Sequence, residues 1–225
     1  MGLLQALNGV GNRAFYRWVT RDSRALFPRL PERPRLFRLF RTPQDWTQTF
    51  LASPTGLGVI DPYGLELIHP IREGRSPQQS GRTGLANHRW MVGGTWCLLL
   101  HQYGLVVAWA CATAKVVDTT LQWLMRQCEE RMMVSSDTGC HAMEGDPANL
   151  TRGQRGAWQE RLVVETVLAM LTVVCHGKRI MHRVWASCHA RLAFTMATCH
   201  VLVQWHGFQP HASGFVPLSM AELSL

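Results

Sequence analysis

VGGTWCLLLHQYGLVVAWACATA, residues 92–114, is the stretch on which the fold turns. It has the length of a membrane-spanning helix, which needs roughly 20 predominantly apolar residues. Its middle, however, holds His101, Gln102 and Gly104, where polar groups in lipid are costly. Tyr103-Gly104 between two runs rich in Val, Leu and Trp reads instead as a turn joining two paired strands, at about 89–100 and 105–113.

Outward from this hairpin, GVIDPYGLELI predicts a first strand at about 57–68, followed by an exposed, basic loop from Arg72 to Asn87. Downstream, DTTLQWLMRQCEERM from Asp118 predicts an amphipathic helix with Asp118 or Thr119 as its N-cap. MMVSS then makes a short strand that delivers Asp137, and a loop of Gly, Asn, Pro and charged residues leads to two long helices at about 157–174 and 181–206. Three strands, a helix, a strand and further helices make a mixed α/β plan.

At 225 residues with 47% hydrophobic content the chain can bury one core with a short appendage, and it is too apolar to be disordered. The formal charge is +8, and Lys115 and Lys178 are the only lysines, so the positive charge is nearly all arginine. The planar guanidinium matches phosphate oxygens, which favours a nucleic-acid partner over a small neutral substrate, although a generally basic soluble protein has the same composition. Seven cysteines without a CxxC pair suit free thiols in a reducing cytoplasm. Four of them precede histidine, at Cys140, Cys175, Cys188 and Cys199, but adjacent residues do not share a helix face and the spacing is not that of a zinc finger. Cys188 and Cys199, close to three helical turns apart, are expected in the core. The start, MGLLQALNGVGNRAF, lacks the features of a signal peptide.

Residues 1–50 form the first unit. From Arg13 to Arg41 nine arginines stand against Asp22 and Glu32, interleaved with Phe15, Tyr16, Trp18, Phe27, Phe37 and Phe40. Such a string can bind phosphates and stack on bases; a solvated face over buried aromatics produces it equally. Pro28, Pro31, Pro34 and Pro43 break it into short pieces, so a short basic arm is expected.

Three acids stand at the edges of the hydrophobic framework: Asp61 ends LGVID, Asp137 ends MMVSSD, and Glu165 interrupts RLVVETVLAMLTVV. Burying a carboxylate without a partner costs several kcal/mol, so the three suggest a shared cation. Arg161 precedes Glu165 by four residues on one helix face, where a guanidinium could hold a phosphate while the carboxylate binds metal. Plain structural readings stay open: a turn acid before Pro62, an Asx turn into Gly139, and an exposed Arg161–Glu165 salt bridge. Glu160 is the rival for the third acid and Asp118 for the second.

The order Asp61, Asp137, Glu165 on strand one, strand four and a late helix resembles the RNase H-like catalytic domain of bacterial insertion-sequence DDE transposases. WQERLVVETVLAMLT is similar to a signature of that class: Tyr, two residues, Arg, three residues, Glu, six residues, Lys. Arg161 and Glu165 match it, Trp158 replaces the tyrosine and Thr172 the lysine. SSDTGCH resembles the turn around the second aspartate, with Cys140 where an aromatic is usual. The resemblance covers about residues 55–206, leaves 207–225 as a tail, and implies that the family's N-terminal DNA-binding domain is short or missing.

The resemblance implies an α/β, RNase H-like mixed sheet with flanking helices and catalytic, metal-ligating Asp61, Asp137 and Glu165 with two Mg2+ or Mn2+ ions. It also implies phosphate contacts by Arg161, Trp158, Lys178 and Arg179. The reaction would be hydrolysis and then strand transfer at element ends, on double-stranded DNA bearing terminal inverted repeats and on target DNA, by a homodimer associated with the bacterial nucleoid. A nuclease of the same fold and a decayed DNA-binding remnant are the alternatives.

Overall fold

A computed structural model of the chain describes residues 1–42, 45–75, 77, 79, 81–86, 89–142, 144–153, 159–178, 180, 182 and 184–207. The elements in chain order are α1 (Gly2–Asn8), α2 (Asn12–Asp22), α3 (Arg33–Leu39), β1 (Leu57–Ile68), β2 (Arg82–Ala86), β3 (Arg89–His101), β4 (Val106–Thr113), α4 (Trp123–Arg126), β5 (Met133–Ser136), β6 (Leu150–Arg152), α5 (Gln159–Val173) and α6 (Trp185–His206).

The apolar stretch at 92–114 is the hairpin β3–β4, turned at Gly104 with φ 79°, a conformation glycine adopts without strain. Among the described residues no helix is long and apolar enough to cross a membrane. β3 is the spine of a mixed sheet. β1 runs antiparallel along one side of it, with Asp61 opposite Leu98. Along the other side lie β4, from Gly94 onward, and β2, beside the first residues of β3. β5 is parallel to β1, and β6 is parallel to β5.

The sheet buries both faces, and the two-residue period of β3 divides its side chains between them. Trp96, Leu98 and Leu100 pack with Val164, Val167, Leu168 and Leu171 of α5 and with Leu192 and Met196 of α6. Cys97 and Leu99 face the other way, against Leu121, Leu124, Met125 and Met132. A third cluster joins Phe15, Val19, Leu36 and Phe40 to Phe194 on the far side of α6. Every residue from Ala190 to His200 is therefore buried, since α6 runs between the sheet and the N-terminal helices. Arg191 fastens them together: its guanidinium donates to the carbonyls of Gln5 and Ala6 and to Gln5 Oε1.

The aromatics of the N-terminal segment thus lie in a core cluster, and the nine arginines from Arg13 to Arg41 are all exposed. This matches the solvated-face reading of the string; Arg21 is paired with Asp22.

Five local expectations need correction. β2 lies inside the predicted loop, because β3 outruns β4 and leaves an edge that RTGLA can fill; a side chain at Gly84 would collide with the Ala114 carbonyl. The segment from Asp118 is not a long helix but a 3-10 turn, Asp118–Leu121, and the single turn α4. Its hydrogen bonds mix the i+3 kind (Gln122 to Thr119, Met125 to Gln122, Cys128 to Met125) with the i+4 bonds of the one α-turn (Arg126 to Gln122, Gln127 to Trp123), and burial of Leu121, Leu124 and Met125 holds it in place. Neither Asp118 nor Thr119 caps it; that position is Val117. β6 adds a strand within the loop after Asp137, and α6 begins at Trp185 instead of 181.

Candidate functional site

β1 and β5 pair in parallel from Leu57↔Met133 to Val59↔Ser135 and then part. Pro62, three residues on, has no N–H to give a neighbouring strand. Asp61 and Asp137 each lie two residues beyond that last pair. Val59, Tyr63, Leu65 and Leu67 all pack on the face covered by α5 and α6, so alternation puts Asp61 on that face too.

Asp137 leaves β5 exposed at its tip, where its Oδ1 accepts the Gly139 N–H at 3.0 Å. The Asx turn considered for this residue is present, and it orients the carboxylate. Asp118 arrives from the opposite side of the sheet, after β4. A Cβ built on Gly139 would stand 3.3 Å from Asp137 Oδ1 and 3.4 Å from Asp118 Oδ2, so this glycine is the spacer that lets the two carboxylates approach.

The electrostatics record the same gathering. Burial, and then the charge of Asp137, hold the Asp118 carboxyl above its usual range. Burial pushes the Cys140 thiol up to about 12, with Asp137, Asp118 and Asp61 each adding to the rise. Cys97 is raised by burial, with contributions from Cys140, Asp118 and Asp61. Both thiols stay protonated at neutral pH, so the ligands on offer are hard carboxylate oxygens, which suit Mg2+ better than zinc.

A polar hub anchored by the buried Gln122 and Asn149 holds this end of the sheet. Gln122 donates to the Cys140 carbonyl at 2.8 Å and to Asp146 Oδ1 at 2.7 Å. Asp146 also receives the Ala142 N–H and meets the His141 ring, both at 2.8 Å. Asn149 donates to the carbonyls of Met125 and Met132, tying α4 to the start of β5. Nothing in the sequence singled out Gln122, Asp146 or Asn149, and His141 stood out only as part of a Cys-His pair weighed for zinc.

Of the predicted site residues, Asp61 and Asp137 come to one end of the sheet, joined by Asp118. Glu165 lies exposed on α5, the helix packed against the Asp61 face of β1. Lys178 is exposed with its ammonium 5.3 Å from the centre of the Tyr63 ring, two residues along β1 from Asp61 and on the same face. Trp158 and Arg179 lie outside the described residues, as do the side chains of Glu160 and Arg161. Among the described residues no group of three or more His, Cys, Asp or Glu converges closely enough to hold a metal ion on its own. No protein-family model, curated protein or solved structure matches the chain.

Proposed function

We propose that the chain is a DNA transposase of the DDE kind, with an RNase H-like core, which hydrolyses and rejoins phosphodiesters at the ends of an insertion sequence. The observation that carries this reading is that Asp61 and Asp137 each lie two residues beyond the last paired residues of the parallel strands β1 and β5. With the added strand β2 set aside, the chain runs through three antiparallel strands, a helical segment, a fourth strand parallel to the first, and late helices. That is the frame in which the resemblance places the acids.

The donor set fits Mg2+ or Mn2+. The unneutralised proximity of Asp118 and Asp137 is what a divalent cation would relieve, and Mg2+ is commonly held by one or two carboxylates together with waters and substrate phosphates. Asp61, Asp137 and Glu165 would hold two such ions, with Asp118 beside them. Bound there, the ions would acidify the attacking water or 3′-hydroxyl and offset the charge of the leaving oxygen. The chain's own share is positional. The Gly139 N–H fixes the Asp137 carboxylate, and Lys178 presents a cation on the Asp61 face for phosphate. Arg161, one helical turn before Glu165, supplies a second cation on α5, with Arg179 and Trp158 as further contacts along the DNA. A homodimer would serve the two element ends.

The test is a Mg2+-dependent cleavage and joining assay on element ends. Asp61→Asn, Asp137→Asn and Glu165→Gln should each lose both steps while DNA binding persists, because they remove ligands and leave phosphate contacts. Full activity in any of the three would strike that residue from the site; cleavage without joining would make the protein a nuclease. A non-catalytic DNA-binding remnant is the alternative. Metal-independent binding without cleavage would establish that reading.

A further inference from the structure

Next to the acids, on the side of Asp118, lies a cleft of about 890 Å3 between the β2–β3 ribbon and the connection from β4 to Asp118. Its outer wall is apolar and exposed: Trp90 and Leu85 are cross-strand partners, 70% and 58% accessible. Arg82 and Lys115, both exposed, flank that wall, and Pro62 and Gly64 of β1 line the inner part. Of the two acids that line the cleft, Glu73 is held by Thr83, whose N–H donates to it at 2.8 Å and whose hydroxyl donates to its other oxygen, and these bonds with the nearby Arg82 charge keep it ionised. Those bonds also stiffen the approach to β2. Asp118 also lines the cleft, and its Oδ2 and the Asp137 Oδ1 lie 3.4 and 3.3 Å from one point, the Cβ position of Gly139, so the cleft borders these two acids.

We propose that this cleft seats one or two unpaired nucleotides of a DNA strand whose phosphate lies at the acids, with Trp90 stacking a base and Arg82 and Lys115 holding the backbone. An aromatic face flanked by cations is the chemistry that binds single strands without reading their sequence. The volume is that of a small-ligand pocket and is large enough for a nucleotide. The proposal rests on the phosphodiester reading only for the proximity of the cleft to the acids, and it extends the double-stranded partner to a locally opened strand.

The experiment titrates the full chain, in EDTA, with a twelve-residue oligothymidylate carrying a single 2-aminopurine, alongside thymidine monophosphate. Wild type should quench the probe, Trp90→Ala should bind about tenfold more weakly, and Trp90→Phe should keep most of the affinity and quenching. Arg82→Gln and Lys115→Gln should each lower the salt slope by about 0.7, the value per neutralised phosphate of a single strand. Trp90 is exposed enough for Trp90→Ala to fold, and the two cation variants put the same question without touching the ribbon's apolar wall. Unchanged binding by Trp90→Ala, or monophosphate binding as tight as the oligomer's, would overturn the proposal. Asp61→Asn separates it from the catalytic reading: cleavage should vanish while Trp90-dependent quenching remains. Trp90-dependent binding by a chain that cleaves no DNA would leave the cleft standing and remove the transposase.

Discussion

Asp118 carries a charge that the fold resists. Burial and the neighbouring Asp137 raise its folded pKa above the unfolded value, so the folded state favours the protonated carboxyl. The sign is the reverse of an ordinary salt-bridged aspartate: the group destabilises the protein above its folded pKa, and that cost fades as pH falls toward the unfolded value near 4. Asp118→Asn should therefore raise the melting temperature at pH 7 and give no gain at pH 3. If Mg2+ relieves the same repulsion, millimolar Mg2+ should raise the melting temperature of the wild type more than that of Asp118→Asn. Equal melting at pH 7 would mean that solvent already screens the pair. Lys178 makes a separate test on the other face of the sheet. Lys178→Ala should lower the salt slope for duplex binding by about 0.9 if its ammonium meets a phosphate, and leave it unchanged if the Tyr63 contact is its whole role.

At the scale of elements, His200 shows how the buried helix α6 is tuned. Its Nε2 accepts the Val106 N–H at 3.0 Å, its ring is bonded to the backbone of Phe50, and burial lowers its pKa to about 4. A depressed histidine contributes stability that is whole above the unfolded value near 6.5 and is lost as pH falls toward 4, on the order of 3 kcal/mol in all. Urea midpoints should fall between pH 6.5 and 4, and His200→Gln should flatten that decline; an unflattened curve would assign acid sensitivity elsewhere. The β3–β4 hairpin was legible because its period and its Tyr-Gly turn are local signals. Asp61 and Asp137 stood out in the sequence because each ends an apolar run. β2 was not, since RTGLA becomes a strand only when the longer β3 offers it an edge. The long helix expected from Asp118 failed for the same kind of reason: Leu121, Leu124 and Met125 are drawn to the sheet at a pitch that the tertiary contact, and not helix propensity, decides. The polar hub at Gln122 and Asp146 joins residues 24 apart, a pairing visible only in the fold.

Across the whole molecule, the basic N-terminal segment is part of the body it would serve. Arg191 stays charged although burial lowers its pKa to about 10, and it satisfies carbonyls of α1 that would otherwise be stranded. Phe194 completes the N-terminal cluster from the α6 side. Deleting residues 1–50 would therefore uncover Phe194 and leave Arg191 without its acceptors, so a loss of DNA affinity in the deletion would mix lost charge with lost structure. Point changes separate them. Arg17, Arg24 and Arg38 are exposed and carry no share of the cluster, so replacing all three with Gln should leave the melting temperature within a degree or two. If these arginines neutralise phosphates, the triple variant should lose about 2.7 from the slope of log K against log salt on duplex DNA, at about 0.9 per contact. Arg191→Met is the complementary change. It should lower the urea midpoint by the equivalent of about 2 to 4 kcal/mol and open α1 to protease, while leaving the salt slope of the folded fraction unaltered. A triple variant with an unchanged slope would show that these three arginines only solvate the N-terminal helices, and would leave any phosphate contact to the remaining cations, Arg82, Lys115 and Lys178 among them.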